Sequence, residues 1–177
     1  MSETAVAVYC PTTLYRLGGD LKPTIDLARP LRDLCAFDVL DELLIADGAL
    51  DARYKTLIIV QADVVERAIL DKIDAWTKKG GRLILLNNNR PMRDVEDRAW
   101  SPVKPIVATL DSLASQLKDC KGYDGERDGL WTCRRGGTRG AEVFIYNTTD
   151  KPARRSVTVG GKTLEALIEP HAIWISP

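Results

Sequence analysis

One histidine, four scattered cysteines and no surplus of charge leave this sequence short of several common chemistries. Lysine plus arginine equals aspartate plus glutamate at 25 each, so the molecule as a whole exerts no net pull on phosphate backbones or anionic membrane surfaces. Neither nucleic acid nor membrane is expected as a partner. The basic doublets Arg134-Arg135 and Arg154-Arg155 sit in strand-like segments, where a solvated face accounts for them. No apolar run has the length to span a bilayer. Glu3 stands where a secretory signal would carry basic residues, which leads to the expectation of a cytoplasmic protein if the chain is full length. Cys10, Cys35, Cys120 and Cys133 lack the short paired spacings of a zinc or redox site, and with His171 as the sole imidazole no metal is expected. Cys120 and Cys133 either pair in an extracellular setting or remain buried free thiols. Gly-x-Ser-x-Gly, Gly-x-Gly-x-x-Gly and Walker patterns are all missing, so no cofactor is expected either.

What is present is a sequence with the composition of a folded globular protein, 45% hydrophobic and 28% charged over 177 residues, long enough for one compact domain with a small appendage. Residues 5–10 alternate small and branched apolar side chains before a turn-like Cys10-Pro11-Thr12-Thr13, which predicts a buried first strand. Leu27, Leu31 and Leu34 then recur at helical spacing after Pro23, with Pro30 interrupting them, so a kinked or shortened helix is expected. Residues 37–40 read as a second strand, and residues 42–45 either continue it or form a turn of helix before Asp47-Gly48.

The clearest unit follows. Leu57-Ile58-Ile59-Val60 is a continuous apolar run of the kind buried on both faces of a sheet. Val65, Ala68, Ile69, Ile73 and Trp76 mark an amphipathic helix with Asp63 as its expected N-cap, and Gly80-Gly81 releases the chain into residues 83–86. A strand, a crossover helix and a strand imply parallel pairing. Residues 87–105 are read as a long polar loop, 106–108 as a short strand and 111–117 as a last helix. The expected fold is therefore α/β, a doubly wound parallel sheet over residues 1–120, with a small all-β segment over 121–177 packed on it. In that segment five short runs are separated by glycine, proline and asparagine turns.

Ligands of open α/β sheets collect outside the carboxyl ends of the strands. Those ends carry Thr12 and Thr13, Asp47, Gln61 and Asp63, and Asn87, Asn88, Asn89 and Arg90. Hydroxyls, amides and one guanidinium suit a sugar or a small polar metabolite, although the same groups serve as caps and turn formers. Trp100 and Trp131 are the two indoles placed to offer a platform to a sugar ring. Cys10 and His171 are the sole nucleophile and base that could act together. The acidic runs Asp94, Glu96, Asp97 and Asp124, Glu126, Asp128 suggest glycosidase carboxylates at first sight, but loop spacing of this kind reads better as solvated charge.

The passage YKTLIIV followed by VVERAILDKIDAWTKKGGRLILLNN resembles the class I glutamine-amidotransferase-like domain in the middle of family 42 β-galactosidases and related glycoside hydrolases. DGLWTCRR, VFIYNTTDKP and EPHAIWIS look like the small β-domain that ends many such enzymes. The resemblance implies a flavodoxin-like fold whose amidotransferase site is lost, and Gln61-Ala62-Asp63 stands where a Gly-x-Cys-x-Gly elbow would be. It further implies a non-catalytic accessory module, serving oligomerisation or carbohydrate contact, whose partners are a second copy or a catalytic barrel. The alternative is a small hydrolase or a small-molecule-binding protein that uses the crevice with Thr12, Thr13, Asp47, Gln61, Asn88, Arg90 and Trp100.

Overall fold

The structure is a computed structural model that describes residues 4–87, 91–117, 129–137, 140–159 and 161–176. Its first part alternates strands with helices: β1 (Val6–Cys10), α1 (Thr12–Arg16), α2 (Lys22–Leu34), β2 (Asp38–Asp41), α3 (Glu42–Ala46), α4 (Ala49–Arg53), β3 (Thr56–Ile59), α5 (Arg67–Lys78), β4 (Arg82–Leu86), β5 (Ile106–Ala108) and α6 (Leu110–Gln116). The five strands form one sheet in the order β2-β1-β3-β4-β5, every neighbouring pair parallel. Leu57 pairs with Leu83 and Ile58 with Ile84, so the two apolar runs lie side by side as their crossover helix requires.

Burial follows from alternation along each strand. Leu57 and Ile59 point to one face, where they meet Ile45, Leu50, Ile69, Ile73 and Trp76 from α3, α4 and α5. Ile58 and Val60 point to the other, against Leu31 and Leu34 of α2 and Leu113 and Leu117 at α6. A sheet covered on both sides can dispense with polar alternation, and Leu57, Ile58 and Ile59 are all fully buried.

Three local expectations change. Thr12 and Thr13 open a short helix rather than a turn, whereas residues 42–45 follow the helical one of their two readings, as α3. Helix α2 runs unbroken through Pro30, because the proline removes a single backbone donor while Leu31 and Leu34 on either turn are buried. Asp63 does not cap α5, which begins at Arg67 after Glu66 with no side-chain cap. At the other end of α5 the reading holds: Gly80 takes φ +104° and the chain turns into β4.

Residues 91–105 are organised by one carboxylate. Asp94 is 2% exposed. It accepts hydrogen bonds from the backbone N–H groups of Glu96 (3.0 Å) and Arg98 (2.9 Å) and from Arg98 Nε (2.7 Å). Burial alone would push the Asp94 carboxyl up, yet these donors outweigh it and hold the group below the usual carboxylate range. The solvated-charge reading is thus corrected for Asp94 and stands for Asp97, which remains exposed.

The second part is all strand: β6 (Leu130–Gly137), β7 (Gly140–Asn147), β8 (Ala153–Val159), β9 (Lys162–Ile168) and β10 (Ile173–Ile175). They form an antiparallel sheet β10-β7-β6 and a hairpin β8-β9 that share a core of Val143, Ile145, Val157, Ala166 and Ile168. One buried amide ties the two layers. Asn147 Nδ2 donates to the carbonyls of Lys151 (2.7 Å) and Ile168 (3.1 Å), while its Oδ1 accepts from the Thr149 N–H and hydroxyl. Cys133 forms no disulfide, and Cys120 lies outside the described residues.

Three substitutions test this packing. A Cβ at Gly81 would stand 2.3 Å from the Trp76 ring. Gly81→Ala should therefore lower unfolding free energy by about 1–3 kcal/mol in urea titrations. Gly80→Ala, with open space around it, should show only the backbone cost of its positive φ. Asn147→Asp keeps the shape but sets an anion against carbonyl oxygens, and should cost at least about 3 kcal/mol by the same measurement.

Candidate functional site

The direction of winding across the sheet reverses between β1 and β3. From β1 the chain crosses to β2 on one side, and from β3 it crosses to β4 on the other, so the crevice outside the carboxyl ends of β1 and β3 is where such sheets receive ligands. The residues that end these strands are largely engaged with one another. Gln61 is 2% exposed. Its Oε1 accepts from the Thr24 N–H (3.2 Å) and hydroxyl (2.7 Å), and its Nε2 donates to the Asp20 carbonyl (2.9 Å). The amide thus fastens the start of α2 to the end of β3.

A second knot surrounds Glu42. The sequence reading placed Asp47 after β2, but β2 ends at Asp41 and Glu42 directly follows it. The Glu42 carboxylate is 6% exposed and accepts from Tyr9 Oη (2.6 Å), from the Thr13 N–H (3.1 Å) and from the Thr13 hydroxyl. Asp41 caps α3 through the Leu44 N–H at 2.9 Å. Two acids directly after a predicted strand were the available signal for this cluster. Asp47 itself is exposed at the end of α3.

Of the remaining candidates, Thr12 is half-buried beside Thr13. Asn88, Asn89 and Arg90 lie outside the described residues, as do Asp124, Glu126 and Asp128. Trp100 departs from the expectation of an exposed platform. It is 5% exposed, it belongs to the core beneath α5, and its Nε1 donates to Asp74 at 3.0 Å. Closing residues 91–105 down on α5 is what buries it.

The crevice holds no activated nucleophile among the described residues. Burial pushes the Cys10 thiol up, and the nearby carboxylates of Asp41 and Glu42 push it further in the same direction. His171 belongs to the all-β part, where Nε2 lies 2.8 Å from Asp150 Oδ1. The thiol at the end of β1 and the imidazole in the turn before β10 therefore belong to different parts of the fold. No group of three or more His, Cys, Asp or Glu side chains placed for a metal ion occurs among the described residues.

The other indole chosen from sequence has a different fate. Trp131 stands on β6 with Tyr146 of β7 edge-on to it, ring centroids 6.2 Å apart at 71°. Together with Arg135, Phe144 and Ile173 they line a hollow of about 490 Å³ that Arg32 of α2 also enters. Arg32 was not singled out in the sequence; its guanidinium lies 3.7 Å above the Phe37 ring, and Nη1 donates to the Phe37 carbonyl at 2.9 Å.

The buried tyrosine makes a pH test possible. Burial first, then the Glu42 charge and hydrogen bond, push the Tyr9 hydroxyl far above its ordinary value of 10.0. In the unfolded chain Tyr9 ionises near that ordinary value while the folded protein keeps its proton. Its contribution to stability is therefore complete below about pH 10 and is lost as pH rises from there through the folded value. Urea midpoints measured from pH 9 to pH 11.5 should fall, and Tyr9→Phe should flatten the slope by one proton; an unchanged slope would contradict the Tyr9–Glu42 contact.

No family model matches the sequence, and the search of curated proteins finds no match. Solved structures do show likeness of fold. A catalytic mutant of Gan42B, a GH42 β-galactosidase from G. stearothermophilus, superposes with a TM-score of 0.67 at 12% identity, covering 97% of this chain and 40% of its own. The β-galactosidase of Rahnella sp. R3 gives 0.68 at 12% identity, covering 98% and 40%. That of Bacillus circulans sp. alkalophilus gives 0.66 at 12%, covering 98% and 41%. The chain thus has the fold of a portion of these enzymes and spans about two-fifths of their length.

Proposed function

We propose that the chain is a non-catalytic accessory module of a glycoside-hydrolase-like protein, serving oligomerisation or carbohydrate contact. In this reading residues 1–120 are an amidotransferase-like, flavodoxin-like unit and residues 121–177 a small β unit packed on it. The observation that carries the proposal is the asymmetry of coverage: nearly all of this chain aligns with less than half of each β-galactosidase. The strand order 2-1-3-4-5 supports the finer fold, because flavodoxin-like sheets are wound in that order. The upward push on the Cys10 thiol from burial and the nearby carboxylates, and the engagement of Gln61 where a nucleophile elbow would stand, support the absence of amidotransferase chemistry. The partner in this role is a second copy or a catalytic barrel.

Sedimentation velocity of the purified chain, with and without galacto-oligosaccharides, tests the proposal together with turnover of nitrophenyl glycosides. Self-association or a carbohydrate-dependent shift without turnover is the expected result. A monomer indifferent to every saccharide would overturn it, and turnover that disappears in Cys10→Ser would favour a small hydrolase instead.

A further inference from the structure

The three-stranded sheet β10-β7-β6 has one face in the core with Val143 and Ile145. Its other face is a ladder of rings. In register, Trp131 pairs with Tyr146 and Tyr146 with Ile173, while the next row on the same face pairs Cys133 with Phe144 and Phe144 with Ile175. Ile173 and Ile175 are more than half exposed, at 62% and 54%. Arg135, two residues beyond Cys133 on that face, holds its guanidinium 6.0 Å from the Phe144 ring centroid. From the opposite wall α2 contributes Arg32.

Rings together with guanidinium groups distinguish this hollow. Neither Arg32 nor Arg135 forms an ion pair with a described residue. Asp38, whose charge acts on Arg32, is already held by Tyr54 Oη (2.9 Å) and Arg53 (3.3 Å). A hollow of about 520 Å³ at the amino ends of β3 and β4 is also cationic, with Lys55, Lys79 and Arg82 against Asp51, but its rings, Tyr54 and Trp76, are buried in the core. There Lys79 pairs with Asp51 at 2.8 Å and the Arg82 guanidinium donates to the Gln116 carbonyl.

Glu142 stands opposite Arg135 in the β6–β7 register but not in the lining of the hollow. Two guanidinium groups beside ring faces, with no acid among the described lining residues, call for a ligand that is flat, partly apolar and negatively charged. We infer that the hollow formed by Arg32, Trp131, Arg135, Phe144, Tyr146 and Ile173 binds an anionic saccharide, its ring against Trp131 and Tyr146 and its carboxylate or sulfate on the arginines. This deepens the carbohydrate-contact role proposed above and rests on it. An acidic peptide fits less well. The hollow opens on the face of the sheet rather than along the outer edge of β6 or β10, and its volume is that of a small-ligand site.

Isothermal titration of the full chain with oligogalacturonate, sulfated galacto-oligosaccharide, neutral galactotriose and an Asp/Glu hexapeptide provides the test. At least one anionic saccharide should bind about tenfold or more tightly than galactotriose, as expected when a charge-assisted hydrogen bond is lost. The two anionic arms tell carboxylate from sulfate. Arg135→Gln should remove about that same factor with little shift of the melting temperature, since Arg135 is exposed and its contact with Phe144 is a long one at 6.0 Å. Trp131→Ala should abolish binding. Equal affinity for neutral and anionic sugars, insensitivity to Arg135→Gln in a folded variant, or tighter binding of the peptide would each overturn the inference. Neutral sugar binding that survives Trp131→Ala would overturn this site while leaving the accessory role intact. Absence of all saccharide binding would overturn the site, with sedimentation deciding the accessory role separately.

Discussion

The parallel pairing of β3 with β4 beneath α5 is the constraint on which the rest of the α/β part depends. Two adjacent apolar strands that run the same way need a crossover, and the crossover needs a helix long enough to return the chain. Helix α5 meets that need and covers one face with Ile69, Ile73 and Trp76. With that face closed, the other must be covered as well, because Ile58, Val60, Ile84 and Leu86 point into it. Helices α2 and α6 close it. The crevice at the ends of β1 and β3 is then a geometrical consequence of strand order rather than a separate invention.

The crevice spends its polar groups on holding itself together. Glu42 binds Tyr9 and Thr13, and Gln61 binds Thr24 and the Asp20 carbonyl, so the loops after β1 and β3 are fixed by buried hydrogen bonds. Leaving any of these acceptors unpaired would cost about 1–3 kcal/mol. A site organised in this way favours rigidity over reactivity. The raised Cys10 thiol agrees with that, since a carboxylate-rich, half-buried setting disfavours thiolate.

The all-β part distributes its groups differently. Its inner face is aliphatic, and the fully buried Asn147 is satisfied on both amide atoms. Rings and guanidinium groups are left to the outer face, next to α2. Apolar surface with cations at its edge is costly to keep in water unless something covers it, which is why this face and not the crevice carries the strongest indication of an occupant.

The amino-acid sequence by itself determined the elements whose signal is local. The apolar runs ending near Val60 and Leu86, the helix between them, the Gly80 turn and the five short strands after residue 129 are all legible, because burial on a sheet or helix imposes a period on neighbouring residues. The persistence of α2 through Pro30 was not legible, since its support comes from packing against a distant sheet. Nor was the fate of the candidate site residues. Thr13, Gln61 and Trp100 are committed to partners 26 to 41 positions away, and Arg32 meets Trp131 and Tyr146 only because α2 lies beside β6. Which polar side chains stay available to a ligand was therefore decided by tertiary structure alone, because hydrogen bonds between segments so far apart leave no periodic trace in the chain.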